Sequence, residues 1–405
     1  MPFELLVALR YLREGRAQTW LIITGIAVGV GVIIYLSALI TGLQNSLIER
    51  TLGTQAHVVV RPPEDMPRLL PAGDGTVRDA LVERPAQRVR SIVQWQRVAT
   101  DVAPLPGVVG VAPTIAGPAM AVRGDGASAV VVRGIDPSSY GAIVRLDAFL
   151  TAGRLDLDGF HAVVGAELAR YLGVGVGDRI RLRVGTDVGA VYTITGILDV
   201  GNKDLNQRWV FVSLRAAQSM FGLEGGVSTI EVRGSRIYDA EPLAQTIAAR
   251  TGLVADSWMR TNEQLLIGLR SQSASSQMIQ SFVILAVALG IASVLAVAVV
   301  QKSREIGILR ATGTTRGQVM RIFLVQGAIL GLVGSVGGIL LGSALARVFA
   351  GIARNPDGSP TFPIALTLVL YVRSTAIALM VGITAALLPA RRAARMRPAD
   401  VIRYG

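Results

Sequence analysis

Cysteine is absent from the 405 residues, histidine occurs twice, and the only lysines are Lys203 and Lys302. Without cysteine there are no disulfides, so any water-exposed domain must be held by packing alone. His57 and His161 lie far apart in the chain and lack partner thiolates, which argues against a zinc site. Neither lysine stands in a G-x-x-x-x-G-K-[ST] frame, so the chain cannot build its own P-loop, and any ATP hydrolysis belongs to a partner. There is no G-x-S-x-G elbow. The serine-rich stretch 271–276 has no histidine or lysine beside it and reads as a solvated helix face. Acid pairs such as Asp156 and Asp158 have no catalytic constellation around them. These absences point away from an enzyme, and no bound cofactor or metal is expected. Aromatics make up only 5% of the chain while glycine reaches 45 residues, a balance suited to closely packed membrane helices.

Long uncharged runs fill the place of the missing chemistry. Residues 278–300, MIQSFVILAVALGIASVLAVAVV, break off directly into Gln301-Lys302-Ser303-Arg304-Glu305. A run of that length crosses a bilayer. The sequence predicts four spans: 20–43, 278–300, 323–349 and 373–390. The uncharged part of the fourth, 374–390, is short and ends near Pro389, so that helix must borrow its flanks to cross. The first span is longer than a signal-peptide core and no A-x-A site follows it, so it reads as an uncleaved anchor.

Arginine sets the orientation. Arg10, Arg13 and Arg16 precede the first span, Lys302, Arg304, Arg310 and Arg316 separate the second from the third, and Arg391, Arg392, Arg395 and Arg397 follow the fourth. Short loops rich in Lys and Arg stay in the cytoplasm. An amphipathic N-terminus (1–19), a connecting segment (301–322) and a tail (391–405) are therefore placed inside. One large domain (44–277) and a short loop (350–372) lie outside. The same rule accounts for the net charge of +12 without nucleic acid as a partner.

Within 44–277 the texture is mixed α and β. Residues 56–60 read as a strand leaving the membrane and 62–75 as an irregular excursion rich in proline and glycine. Val89, Ile92, Val93 and Gln96 recur at helical spacing. Short β runs are expected at 119–122, 129–135, 179–184, 191–197 and 209–212, with helices at 167–172, 214–221 and 241–251 and a strand at 253–255. The expected fold is thus a membrane bundle of four transmembrane helices with a large α+β periplasmic domain inserted between the first and second. Residues 262–277 contain no proline and run straight into the second span, so a helical stalk of about 24 Å is expected there at 1.5 Å per residue.

Gly327, Gly331, Gly334, Gly338 and Gly342 form overlapping small-xxx-small repeats on the third span, and Gly25 with Gly29 forms one on the first. Such faces serve helix packing or a dimer interface. On the segment after the second span, Ile306 and Leu309 share a helical face, with Glu305 and Arg310 available to a partner.

KSREIGILRATGTT, the glycine-rich third span, and PARRAARMRPADVIR after the fourth resemble the FtsX/MacB-type (type VII) permeases of ABC transporters along essentially the whole chain. The resemblance implies a dimeric inner-membrane permease, with both termini cytoplasmic, driven by separate ATPase subunits that bind ATP and Mg. Closure of the ATPases would move the stalks and outer domains, by mechanotransmission. It implies a coupling helix on which Lys302, Arg304, Glu305, Ile306, Ile308, Leu309, Arg310 and Thr312 meet the ATPase.

Within that family, GIAVGVGVIIYLSALITGLQNSLIERTLGTQAHVVV is similar to the first span of the lipoprotein-releasing permeases LolC and LolE. The similarity implies extraction of lipoproteins or other lipophilic substrates, by a homodimer or a LolC/LolE-like heterodimer, toward a periplasmic carrier. Acyl chains would enter beside Tyr35, Leu36, Leu39, Ile40, Leu43, Met278, Phe282 and Val283. Where LolC carries a protruding hairpin, residues 185–190 leave only a short turn. Alternatives from the same family are a MacB- or DevC-like export permease working with a periplasmic adaptor, and an FtsX-like regulator of a cell-wall hydrolase.

Overall fold

The computed structural model describes residues 3–63, 89–185, 188–352 and 364–396. In chain order it contains α1 (Phe3–Glu14), α2 (Arg16–Leu52), β1 (Val58–Arg61), α3 (Trp95–Val102), β2 (Val108–Arg123), β3 (Gly126–Ile135), α4 (Pro137–Tyr140), β4 (Leu150–Gly153), β5 (His161–Gly165), α5 (Ala166–Leu172), β6 (Arg179–Val184) and β7 (Val188–Leu198). These are followed by α6 (Lys203–Arg208), β8 (Trp209–Ser213), α7 (Leu214–Phe221), β9 (Thr229–Gly234), α8 (Ala240–Thr251), β10 (Val254–Ser257), α9 (Trp258–Thr261), α10 (Glu263–Gln301), α11 (Ser303–Ala311), α12 (Arg316–Ile352) and α13 (Leu368–Arg395). The chain divides into a helical unit (1–48 and 267–405) and a sheet-rich unit (Glu49–Leu266), with both divisions falling inside long helices, α2 and α10.

Among the described residues of the helical unit, four helices are long and apolar enough to cross a membrane: α2, α10, α12 and α13. Each extends beyond the apolar run that announced it in the sequence. The fourth draws on its flanks: α13 is 28 residues long and continues through Pro389 to Arg395. A helix tolerates an internal proline where neighbouring packing compensates the missing N–H. Here Pro389, Ala390, Ala393 and Ala394 are all buried.

Among the described residues of the sheet-rich unit, ten strands run in the order β10-β1-β9-β2-β3-β8-β5-β7-β4, with β6 beside β2 and β7. Pairing is antiparallel except for β3 with β8 and β5 with β7. The spine is β2, a 16-residue strand that pairs with β9 from Val108 to Thr114 and with β3 from Ile115 to Arg123. Sequence pattern gave only its last turn-free stretch, because Gly110, Pro113, Gly117 and Pro118 look like breaks. The sheet accommodates both prolines where one side of the strand is unpaired: Pro113 faces only β9, and Pro118 only β3. Proline, which lacks a ladder donor, is tolerated on such a one-sided stretch. Ala112, Ile135, Val163, Leu198 and Phe211 close the core on one side of this spine.

The helical spacing read at 89–96 is not used as a helix. Ile92 instead forms an isolated bridge with Val227, and the helix begins only at Trp95. The strands β4, β5 and β9 were not foreseen. β6 and β7 close through Val184 and Val188, a tighter reversal than the 185–190 turn expected. The expected excursion at 62–75, the loop 350–372 and the tail 391–405 fall partly outside the described residues.

Candidate functional site

The segment after the second apolar run folds as a short amphipathic helix laid across one end of the bundle. Ile306 is 1% exposed and packs with Val299, Val319, Phe323, Ala390 and Ala393, which joins α11 to three long helices at once. Arg304, Glu305, Ile308 and Thr312 are exposed, and Leu309 is half-buried. Gly313 ends the helix with φ at +104°, a conformation that strains any side-chain-bearing residue. Thr315 then starts α12 with a reciprocal cap: its Oγ1 accepts from Gln318 N at 3.3 Å, and Gln318 Oε1 accepts from Thr315 N at 2.9 Å. The ATGTT motif is therefore a stop, a reversal and a start.

Charged side chains tie α11 to its surroundings. Lys302 Nζ donates to Glu14 Oε2 at 2.6 Å and to Glu305 Oε1 at 2.7 Å, and lies 5.5 Å from the Tyr11 ring centroid. These hydrogen bonds raise the Lys302 pKa, while Arg10 and then Lys302 hold the Glu14 carboxyl below its usual range. Gln18 reaches Gln301 at 2.9 Å. Arg310, expected to face a partner, turns inward instead. Its guanidinium donates to the backbone oxygens of Ala394 and Met396 at the end of α13, where free carbonyls attract a cation. It holds two helices together, and Arg304 and Glu305 remain as the exposed charges of α11.

Glycines of the third apolar helix are divided between two neighbours. A Cβ on Gly331 would lie 2.6 Å from Ala378 O, and one on Gly327 would overlap Gly382 O, both on α13. Gly334, Gly338 and Gly342 face α2, where added Cβ atoms would stand 2.5 Å from Ile26 Cγ2, 2.5 Å from Val30 Cβ and 2.7 Å from Gly31 O. A Cβ on Gly29 would stand 2.5 Å from Val287 Cγ2 of α10, whereas one on Gly25 would meet nothing within 4 Å. All five glycines of the stripe are spent on packing inside the chain, which leaves the dimer-interface reading of that stripe without a free face. Gly31 and Gly382 complete these contacts and were missed, because neither stands four residues from another glycine.

Residues expected to line one substrate cavity do not gather. Tyr35 stacks edge-on with Phe349 at 6.0 Å. Ile40 lines a polar cavity between α2, α10 and α13, whereas Val283 lines an apolar groove with Gly25 and Gly29. Met278 and Phe282 are 64% and 65% exposed and face outward. Leu36, Leu39 and Leu43 are half-buried on α2. The serines of 271–276 are also not uniformly solvated: Ser273 Oγ accepts from Gln44 Nε2 at 2.7 Å, and Ser276 is 6% exposed and accepts from Gln280 Nε2 at 3.0 Å.

The sheet-rich unit holds a buried ionic cluster that no motif announced. Arg133 and Glu231 form a salt bridge with side chains 13% and 7% exposed. The Arg133 guanidinium also donates to Tyr140 Oη at 3.1 Å and lies 5.0 Å from the Trp209 ring centroid. Thr114 Oγ1 donates to Glu231 at 3.3 Å. Burial drives the Tyr140 phenol pKa upward. His57 is 4% exposed, and its Nδ1 accepts from Gly234 N at 3.2 Å, a structural role.

Residues 19–250 match the MacB-like periplasmic core domain, and residues 278–398 match the FtsX-like permease C-terminal region. The chain belongs to this family of permeases.

Relatives of this FtsX/MacB-type permease include the lipoprotein-releasing system transmembrane protein LolC of Xylella fastidiosa, 27% identical over 437 residues that cover 100% of this chain and 99% of that protein. The LolC of Neisseria meningitidis is 25% identical over 436 residues, covering 99% of each chain. The macrolide export ATP-binding/permease protein MacB of Chlorobium luteolum is 29% identical over 230 residues, covering 54% of this chain and 30% of that one. The protein is thus an ABC transporter permease of the LolC/MacB/FtsX type, and α11 lies within the FtsX-like region of it.

Proposed function

We propose that this permease works with separate cytoplasmic ATPase subunits and a second permease copy to release lipoproteins from the bacterial inner membrane. In this reading α2, α10, α12 and α13 cross the membrane, both termini and α11 are cytoplasmic, and the sheet-rich unit is periplasmic. ATP and Mg belong to the partner subunits. The chain's own part is mechanical, with Arg304, Glu305, Ile308 and Thr312 as the face that receives the ATPase's movement.

The observation that carries this reading is the construction of α11. Its inner face is buried against α10, α12 and α13, its charged edge reaches Glu14 through Lys302, and its outer face is free among the described residues. A push on that face is delivered to the bundle and not absorbed by a loose loop. The stalk segments offer a continuation: α2 and α10 run on beyond their apolar runs and are joined by Gln44 to Ser273 at 2.7 Å. The full-length likeness to LolC supports lipoproteins as the substrate class.

Depletion of the protein followed by fractionation tests the substrate: lipoproteins destined for the outer membrane should accumulate in the inner membrane, and unchanged sorting would sink the proposal. A MacB-like export role is the second reading, supported by the MacB likeness and by the tight β6–β7 reversal in place of a protruding hairpin. Recovery of a periplasmic adaptor without lipoproteins on purification would select it.

A further inference from the structure

Between α2, α10 and α13 lies a cavity of about 240 Å³ whose lining is unlike the rest of the bundle. Ser37, Thr41 and Gln44 line it from α2, and Ser273, Ser276, Gln277 and Gln280 from α10. Arg373 and Ser374 contribute from α13. No carboxylate is among the lining residues. The segment before α13 closes on α2 here, with Ala365 N donating to the backbone oxygen of Ala38 at 3.1 Å.

Two groups on α13 in this lining have no protein partner among the described residues, and one of them is buried. Arg373 makes no ion pair or hydrogen bond with them. Ser374 is 2% exposed, and its Oγ lacks a hydrogen-bond partner. A serine in a helix ordinarily returns its hydroxyl to a carbonyl one turn back. A buried hydroxyl without a partner is costly and calls for an explanation such as an absent ligand. Neighbouring amides are better supplied: Gln280 Nε2 reaches Ser37 Oγ at 3.3 Å and Ser276 Oγ at 3.0 Å. Those contacts fix Gln280, Ser37 and Ser276 as a frame beside one cation and one buried, unbonded hydroxyl.

We infer that this cavity binds the phosphate of an anionic phospholipid headgroup, held by Arg373 and by the Ser374 hydroxyl. An unpaired guanidinium with a hydroxyl one residue away, and no competing carboxylate, suits a phosphate monoanion. The inference rests on the reading of α2, α10 and α13 as membrane-spanning. Arg373 then sits at the outer end of α13, where an arginine reaches the headgroup layer. Ser37 lies about 9 Å inside the outer end of the α2 apolar run, at 1.5 Å per residue. The cavity therefore carries a headgroup inward from that layer, which an arginine merely extending to the surface does not require.

Native mass spectrometry of the full chain in mild detergent, stripped of lipid, tests this with three probes: dioleoylphosphatidylglycerol, dioleoylglycerol and inorganic phosphate. Phosphatidylglycerol should be retained and dioleoylglycerol, with the same chains and no phosphate, should not. Arg373→Gln should lower retention about tenfold or more. Arg347→Gln, at an exposed arginine on α12 outside the cavity, should leave it unchanged. Ser374→Ala should lower retention several-fold without lowering the thermal midpoint of the lipid-free protein, since its hydroxyl has no bond to lose. Equal retention by Arg373→Gln and wild type, equal loss in both arginine variants, or displacement of the lipid by millimolar phosphate would each overturn the assignment. Lipid retention is read without ATPase or transport, so failure of the lipoprotein-release reading leaves this result standing. Proteoliposome topology mapping that placed Arg373 away from the outer interface would instead remove the membrane reading itself.

Discussion

Lys302 stands 2.6 Å from Glu14 and 2.7 Å from Glu305, so one ammonium joins the helix before the first apolar span to the helix after the second. Lysine is nearly absent from the chain, and this copy occupies the junction of α1, α10 and α11. The two carboxylates are half-exposed, so the bridges contribute little to global stability. Their consequence is positional: they set where α11 lies.

The outer and inner faces of α11 should therefore separate in mutagenesis. Ile308→Glu changes an exposed residue and is expected to abolish co-purification with the ATPase while shifting the thermal midpoint by no more than about 2 °C. Ile306→Ala empties a buried site and should cost roughly 2–5 kcal/mol of stability. Glu305→Ala should reduce transport with the protein still folded and inserted, whereas Arg310→Ala should lower stability as well, by freeing the end of α13. Identical behaviour of the two charge variants in a paired stability and transport assay would refute this division.

Glycine substitutions should rank by the space each Cβ meets. Gly331→Ala forces an atom to 2.6 Å from Ala378 O and is expected to destabilise by about 1–3 kcal/mol or more, because overpacking moves backbone. Gly25→Ala meets nothing within 4 Å and should be neutral or slightly stabilising. Thermal unfolding in detergent decides between them, and equal midpoints would contradict the helix packing.

Breaking the buried Arg133–Glu231 pair should cost more than removing it. Glu231→Gln leaves an uncompensated guanidinium and is expected to lose about 3–5 kcal/mol, whereas the double replacement by methionine should lose clearly less. Urea unfolding of the purified chain measures both. A double variant as unstable as the single one would mean that the pair itself stabilises the fold.

Acid should weaken the sheet-rich unit through His57. Burial, and then the charge of Arg233, lower its pKa below the ordinary 6.5. The unfolded chain then takes up the proton first, so the contribution is intact above about pH 6.5 and is lost as pH falls through the depressed value. His57→Asn keeps an acceptor for Gly234 N and removes the titration. The fall in thermal midpoint between pH 7.5 and 5 should be smaller in this variant, and an unchanged fall would dismiss His57 as its source.

Composition and periodicity by themselves determined the four apolar runs, the clustered arginines, the α11 segment and much of the outer unit. Each is a local property: run length answers to membrane thickness, and alternation answers to strand geometry. Helix α7 was read with the boundaries it has, because Ser213 caps its start and Gly222 its end, within one short stretch of chain. Tertiary structure alone decided which side of each element meets what. Pro113 and Pro118 fit inside β2 because their unpaired sides lie where the strand changes partners. Arg310 turns inward because the free carbonyls of α13 end beside it, 84 residues away in sequence. Arg133 finds Glu231 across the sheet, and Ser37, Ser276 and Ser374 share one cavity, because packing brings together polar groups that no spacing rule connects. Those distant pairings depend on long-range geometry, and a local pattern carries no record of it.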